Sequence, residues 1–361
     1  MQEFHCKTKI LSGANALDWL NGCSCKTLLV VTDPYFMKNG TAQAIAQRVQ
    51  AERREFFDGV KPDPSVELAA EGTALMRQHH PDLLIALGGG SAIDCAKAMV
   101  YFADKQLRFI AIPTTSGSGS EVTDFAILTH GQTKHPLVDK KLRPEAAILD
   151  SKLLEQLPKK LVADCGFDVL CHAMEAFVAT NASCFTDALA KEAFATALAL
   201  LPASYAGNTD VRLQIHTAST MAGLAFTGAG LGLCHAIAHS LGGIFHLPHG
   251  RLNAILMPAV MDINSYACSE KYASLARFSG VGSAADTVAI RNLRNALVRL
   301  RKELGLPKDL KEAGISPRTL YQYEAQIVRD TLADPCSRTN PLPVADYTVR
   351  KILGVIAGNG N

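Results

Sequence analysis

Short, unbroken apolar runs alternate with polar-faced helical stretches over the first 150 residues. Residues 27–32, 83–87 and 109–113 predict strands buried on both faces. A polar-faced helix is predicted over 42–54, and a helical run over 95–102 follows the second strand. This alternation predicts βα units around a Rossmann-like parallel sheet. In such sheets ligands sit beyond the carboxyl ends of the strands. Each predicted strand ends there in polar or glycine-rich sequence: Asp33, then Gly88-Gly-Gly-Ser91, then Thr114-Thr-Ser-Gly-Ser-Gly-Ser-Glu121. After Asp150 the pattern changes. Ala/Leu-rich windows at 186–201, 214–226 and 285–304 predict an all-α domain. A boundary near 155 separates an α/β domain, 1–155, from a helical domain, 156–361. No repeat or low-complexity linker intervenes, so closely packed domains with a cleft between them are expected.

Composition narrows the class. A chain of 361 residues exceeds one ordinary core, and 48% apolar against 19% charged residues excludes disorder and coiled coil. Thirty-six basic against thirty-four acidic residues leave +2, which is no nucleic-acid footprint. The ten cysteines are scattered, several in apolar stretches (Cys95, Cys171, Cys234), and no C-x-x-C occurs. The start lacks a signal-peptide pattern, and the apolar stretch 221–244 contains His235 and His239, unsuited to a lipid-facing helix. The expectation is a cytoplasmic protein with a small-molecule partner, binding neither nucleic acid nor membrane.

Three stretches of the α/β half could carry chemistry. The glycines of Gly88-Gly-Gly-Ser91-Ala-Ile-Asp94 let backbone N–H groups approach a phosphate at a helix N-terminus. The same residues suit a plain turn, with Ser91 as N-cap and Asp94 closing a capping box. They do not form the G-x-G-x-x-G fingerprint. Asp33 is placed to bind ribose hydroxyls and repel a 2′-phosphate, or to start a turn before Pro34. The hydroxyl-rich loop 113–120 suits a ligand contact at a strand tip, and Lys134 downstream reads equally as a surface charge.

The helical half carries the sharper signal. Asp168 and His172 stand at i and i+4 on one helix face, as do His235 and His239. Four of the eleven histidines fall within 235–249. Imidazoles clustered in an apolar segment are costly without partners, and a divalent cation is one good partner. Carboxylate plus imidazole suits Fe(II) or Zn(II), while a set of hydrogen-bonded core histidines is the alternative.

Taken together, these motifs resemble the iron-containing (group III) alcohol dehydrogenases over essentially the whole chain. The likeness runs through Gly-Gly-Gly-Ser-x-x-Asp at 88–94, Pro-Thr-Thr-Ser-Gly-x-Gly-Ser-Glu-Val-Thr at 113–123 and Gly-x-Asp-x-Leu-x-His-Ala-x-Glu at 166–175. It continues through Gly-Leu-x-His-Ala-x-Ala-His at 232–239 and Pro-His-Gly at 248–250. The resemblance implies the dehydroquinate synthase-like architecture of an α/β domain followed by a helical one. It implies Asp168, His172, His235 and His249 as metal ligands, with Fe(II) or Zn(II). It implies His239 as a catalytic histidine assisting proton transfer, and NAD(H) contacts from Asp33, Gly89, Gly90, Ser91, Asp94, Thr114, Thr115, Ser118 and Lys134. Phe125 and Phe226 fall where the family lines its substrate pocket, and His246 matches no family role. Leu342 departs from the arginine many relatives have there.

The tail 333–343 resembles microcompartment-associated 1-propanol dehydrogenases, which implies association with a bacterial microcompartment, while the family as a whole, in which dimers are common, implies a homodimer. The expected activity is NAD(H)-linked interconversion of short-chain primary alcohols and aldehydes, such as 1-propanol and propanal. A zinc-dependent glycerol (polyol) dehydrogenase is the alternative. A dehydroquinate synthase-like lyase fits less well, because only Arg251 lies near the histidines for a phosphorylated acidic substrate. A cofactor-binding protein without catalysis is opposed by the intact set of Asp168 and the histidines.

Overall fold

The computed structural model describes residues 4–104, 107–131 and 133–358. Residues 1–3, part of the start read for a targeting segment, lie outside these. The chain divides into two units between Leu157 and Pro158, where a boundary near 155 was expected.

Among the described residues the first unit has eight strands: β1 (Lys9–Ser12), β2 (Ser24–Thr32), β3 (Gln50–Phe57), β4 (Leu83–Gly88), β5 (Arg108–Pro113), β6 (Phe125–His130), β7 (Thr133–Val138) and β8 (Ala146–Leu149). Six form one parallel sheet in the order β1-β8-β5-β4-β2-β3, while β6 and β7 make a separate antiparallel hairpin. Helices α1 (Pro34–Lys38), α2 (Thr41–Arg48), α3 (Val66–His79) and α4 (Gly90–Ala103) connect the strands. Every residue of β4 is buried, as are the last six of β2, because apolar clusters pack on both faces of the sheet. Each such Val, Leu or Ile contributes about 1.5–3 kcal/mol on burial.

The order of the strands positions the ligand-facing ends. The chain runs outward from β2 to β3, then returns to β4 on the other side of β2, so the direction of winding reverses between β2 and β4. Doubly wound sheets bind ligands at such a reversal. Thr32 is level with Leu87, and Gly88 with Pro113, so Asp33, the glycine turn and the loop from Thr114 all leave the sheet along one edge.

Two expectations are corrected here. The helix predicted over 42–54 ends at Arg48, and Gln50–Phe57 is an edge strand paired with β2. Glu52, Arg53 and Arg54 are exposed on this strand, which has one neighbouring strand only, and charged residues there are a common way to protect a sheet edge. Helix α4 starts at Gly90 on the N-cap Gly89, with no side-chain cap, so Ser91 and Asp94 form no capping box.

The second unit is helical: α5 (Lys159–Val178), α6 (Cys184–Ala206), α7 (Arg212–Ala229), α8 (Leu233–Phe245), α9 (His249–Phe278), α10 (Asp286–Glu303), α11 (Pro317–Gln322), α12 (Glu324–Ala333) and α13 (Asp346–Ile356). Helix α5 is buried almost all round and packs against α6, α7 and α9. A helix so enclosed can carry polar groups only where they have partners, and α5 carries Asp164, Asp168, His172 and Glu175. Phe4 also belongs to this unit, departing from a domain division that assigned it to the α/β half: its ring stacks on Phe185 at 5.7 Å. The apolar stretch 221–244 is broken at Gly230, and α7 and α8 meet at 105°. Among the described residues no single helix is long and apolar enough to cross a membrane.

Candidate metal centre and dinucleotide cradle

Asp168 and His172 come from consecutive turns of α5, His235 from the first turn of α8, and His249 from the first residue of α9. One oxygen, Asp168 Oδ1, lies 3.8 Å from His172 Nδ1, 3.8 Å from His235 Nε2 and 3.7 Å from His249 Nε2. These separations are too long for hydrogen bonds. They approach the spacing of atoms sharing one cation, since two ligands at about 2.1 Å stand about 3.4 Å apart at the tetrahedral angle. The ligand atoms of Asp168, His172 and His235 all lie within 4.8 Å of one another. The rings are mutually packed, His172 on His235 at 4.4 Å and His235 near His249 at 5.1 Å.

The surroundings of His235 favour the neutral imidazole, the form that binds metals. Burial, reinforced by neighbouring His172 and His239, holds His235 well below the usual imidazole range. Its Nδ1 meets Glu175 Oε2 at 2.7 Å, which assigns the proton to Nδ1 and leaves the Nε2 lone pair toward Asp168. Burial pushes the Cys234 thiol up to about 11 and raises Cys171 well above its ordinary value, so neither offers a thiolate. The donor set is nitrogen and oxygen, and it fits a divalent cation such as iron(II).

Three side chains in this arrangement carried no assigned role in the sequence. Glu175, two per cent exposed, accepts hydrogen bonds from the N–H groups of Gly232, Cys234 and His235 as well as from the His235 ring. It therefore caps α8 and orients the His235 ring at once; burial lifts its carboxyl to about 7 against those donors. The spacing 168, 172, 175 on one helix face was the available signal. Asn253, one turn after His249, donates to Asp168 Oδ1 at 2.8 Å. Asp334 accepts from His239 Nδ1 at 2.9 Å. Although burial opposes it, the His239 hydrogen bond and charge hold the Asp334 carboxyl below its ordinary range. His239 stacks on His249 at 5.2 Å, and Phe226 stacks on His172 at 4.5 Å. His246 ends α8 in the left-handed conformation, φ +53°, a structural task. Arg251 is engaged by Asp164 through Nε at 3.1 Å and Nη2 at 2.8 Å.

In the α/β unit, the glycine turn and the loop from Thr114 are pressed together. A side chain at Gly89 would stand 3.1 Å from Thr115 Oγ1, and one at Gly90 would stand 2.9 Å from Ser118. Thr114 N–H donates to the Gly88 carbonyl at 3.0 Å. Gly89, Gly90, Ser91, Thr115 and Ser118 are half-exposed at this edge, whereas Thr114 is buried. The uncapped start of α4 is thus lined by hydroxyls, as a dinucleotide phosphate requires. Asp33 caps α1 through Oδ1, accepting from Tyr35 and Phe36, while Oδ2 lies 3.7 Å from where a Gly88 side chain would begin. Its two sequence readings, turn starter and ribose acceptor, are compatible. Asp94 is turned away from the cradle, taking Ser120 Oγ on Oδ1 and the Ile127 N–H on Oδ2 at 3.1 Å. Lys134, on the hairpin, pairs with Asp63 at 2.6 Å, and the half-buried Phe125 opens β6.

The family model of iron-containing alcohol dehydrogenases matches residues 7–151, and that of the C-terminal part of the Fe-containing alcohol dehydrogenase family matches 162–356. The chain belongs to this family. The 1-propanol dehydrogenase PduQ of Citrobacter freundii is 37% identical over 98% of this chain and 99% of its own. The NADPH-dependent butanol dehydrogenase of Clostridium saccharobutylicum is 36% identical over 98% of this chain and 97% of its own. Among solved structures, the sulfoacetaldehyde reductase of Bifidobacterium kashiwanohense in complex with NAD+ superposes with a TM-score of 0.89, at 26% identity over 100% of both chains. Like its relatives, this alcohol dehydrogenase pairs a parallel-sheet unit with a helical one.

Proposed function

We propose that this alcohol dehydrogenase interconverts short-chain primary alcohols and aldehydes of about the size of propanal, using NAD(H) and iron(II). The observation that carries the reading is the convergence of three imidazole nitrogens on one Asp168 oxygen. When bound, iron(II) supplies Lewis acidity toward the substrate oxygen, and the nicotinamide supplies or accepts the hydride.

The chain's own residues do the rest. Asp168, His172, His235 and His249 hold the cation, with Glu175 and Asn253 fixing His235 and Asp168. Asp334 keeps the His239 proton on Nδ1, so Nε2 is the atom that receives or releases the reaction's proton. Phe226 presents an apolar ring beside His172, suited to a short alkyl chain rather than a polyol. Gly89, Gly90 and Ser91 with Thr115 and Ser118 cradle the pyrophosphate, and Thr114 holds that loop to Gly88. The Asp33 carboxylate binds the ribose and repels a 2′-phosphate, favouring NAD(H) over the NADPH of the butanol relative. Arg251 is occupied by Asp164, which weighs against a phosphorylated acidic substrate.

The test is NADH oxidation by anaerobically purified, Fe(II)-loaded protein with propanal, butanal and dihydroxyacetone. Turnover with the first two, lost along with bound metal in a folded His249→Ala variant, is expected. Turnover by metal-free His249→Ala, or with dihydroxyacetone alone, would overturn the reading.

A further inference from the structure

Lys97, on α4 two turns after the cradle glycines, is completely buried. Its ammonium donates to Ser120 Oγ at 3.1 Å, Thr123 Oγ1 at 2.8 Å, the Thr123 carbonyl at 3.0 Å and the Phe125 carbonyl at 2.8 Å. All of these acceptors belong to one segment, the end of the loop that starts at Thr114. One turn earlier on α4, Asp94 holds the same segment through Ser120 and the Ile127 N–H. Ser120 joins the two, accepting from Lys97 and donating to Asp94.

A buried charge is costly, and this one is compensated by those acceptors and by Asp94 on the same helix. What the ammonium supplies is registry: a compact cation that several acceptors of one loop can reach only in one placement. The loop between β5 and Ser120 carries Thr115 and Ser118, which touch the space over Gly89 and Gly90. One end of that loop is fixed by the sheet at Pro113, and the other by Lys97 and Asp94.

We infer that Lys97 is a positioning residue for the dinucleotide: it bolts the 114–125 loop to α4 and so sets the spacing of the hydroxyls over the phosphate cradle. This rests on the dehydrogenase reading above. It also assigns Asp94 a part in cofactor binding through the loop rather than by contact with the cofactor.

The experiment is equilibrium NADH binding, followed by cofactor fluorescence, alongside steady-state kinetics for wild type and Lys97→Met with metal content measured on the same samples. The expected result is an NADH dissociation constant and KM raised at least tenfold in Lys97→Met, with kcat at saturating NADH, KM for propanal and bound iron within twofold. An NADH dissociation constant within twofold of wild type would overturn the inference. So would a parallel loss of kcat, aldehyde affinity and iron, the mark of general loosening. If Lys97→Met does not fold, Thr123→Val decides: it removes one acceptor, and a several-fold rise confined to NADH supports the bolt, while none refutes it. Wild-type turnover and metal content test the dehydrogenase reading separately.

Discussion

Replacing Glu175 by glutamine changes one atom in a buried carboxylate and should uncouple a metal ligand from its support. Glu175 Oε2 accepts from Gly232 N–H, His235 N–H and His235 Nδ1, while Oε1 accepts from Cys234 N–H at 2.7 Å. Glutamine keeps one oxygen. With that oxygen in the Oε2 place, the new NH2 faces the Cys234 N–H, donor against donor. One buried hydrogen bond is lost and a buried N–H is stranded, costing about 1–3 kcal/mol. For a helical unit of this size, that corresponds to a melting temperature lower by roughly 2–12 °C. The His235 ring keeps an acceptor at Oε2, now a neutral amide oxygen, so its support is weakened and metal affinity should fall toward the loss of about 10–100-fold typical of removing such support. The assay is anaerobic competition for Fe(II) against a chromophoric chelator, with a thermal melt of the same preparation. Metal affinity within twofold of wild type in folded Glu175→Gln would refute the coupling.

Further outcomes follow from other contacts. A side chain at Gly250 would begin 1.8 Å from the Asp164 carbonyl oxygen, so Gly250→Ala must separate α9 from α5. It should displace His249 and lose iron on dialysis, and full metal retention would contradict the geometry. Asp33→Ser keeps an N-cap for α1 but removes the charge, so kcat/KM for NADPH should rise relative to NADH by tenfold or more. An unchanged ratio would remove Asp33 from cofactor choice. Burial lowers Lys97 from 10.5 to about 8, against Asp94, Glu121 and Asp124 and with Arg143 adding to the lowering. Between about pH 8 and 10.5 the unfolded chain keeps a proton that the folded chain releases, so this group makes the fold more stable as pH rises. NADH affinity should move the opposite way, weakening above pH 8 as the bolt loses its charge. Denaturant midpoints and NADH titrations across pH 7–9.5, each compared with Lys97→Met, check both signs.

Much of this was legible in the sequence for identifiable reasons. Strands β2, β4 and β5 announce themselves because helices cover both faces of the sheet, leaving no polar alternation. Strand β3 does not, since an edge strand can carry Glu52, Arg53, Arg54 and Glu55 and reads as a helix surface. The metal candidates stand out because Asp168 and His172 share a helix face, and the histidines crowd 235–249. Glu175 shares the helix face of Asp168 and His172, which marks its position but not its partners, while Asn253, Asp334 and Lys97 lack any such signal. The roles of all four come from tertiary partners 60, 85, 95 and 26 positions away, which no local pattern encodes. Asp94 illustrates the same limit: its spacing from Ser91 suits a cap, yet its oxygens are taken by Ser120 and Ile127.

The proposed centre is one cation held by Asp168, His172, His235 and His249. X-ray absorption at the metal edge of the Zn(II)-loaded chain tests it most directly. One ion per chain, with nitrogen and oxygen neighbours at about 2.0–2.1 Å, multiple scattering from imidazole rings and no sulfur, is the predicted result. A sulfur neighbour at about 2.3 Å, or no stoichiometric ion, would contradict it.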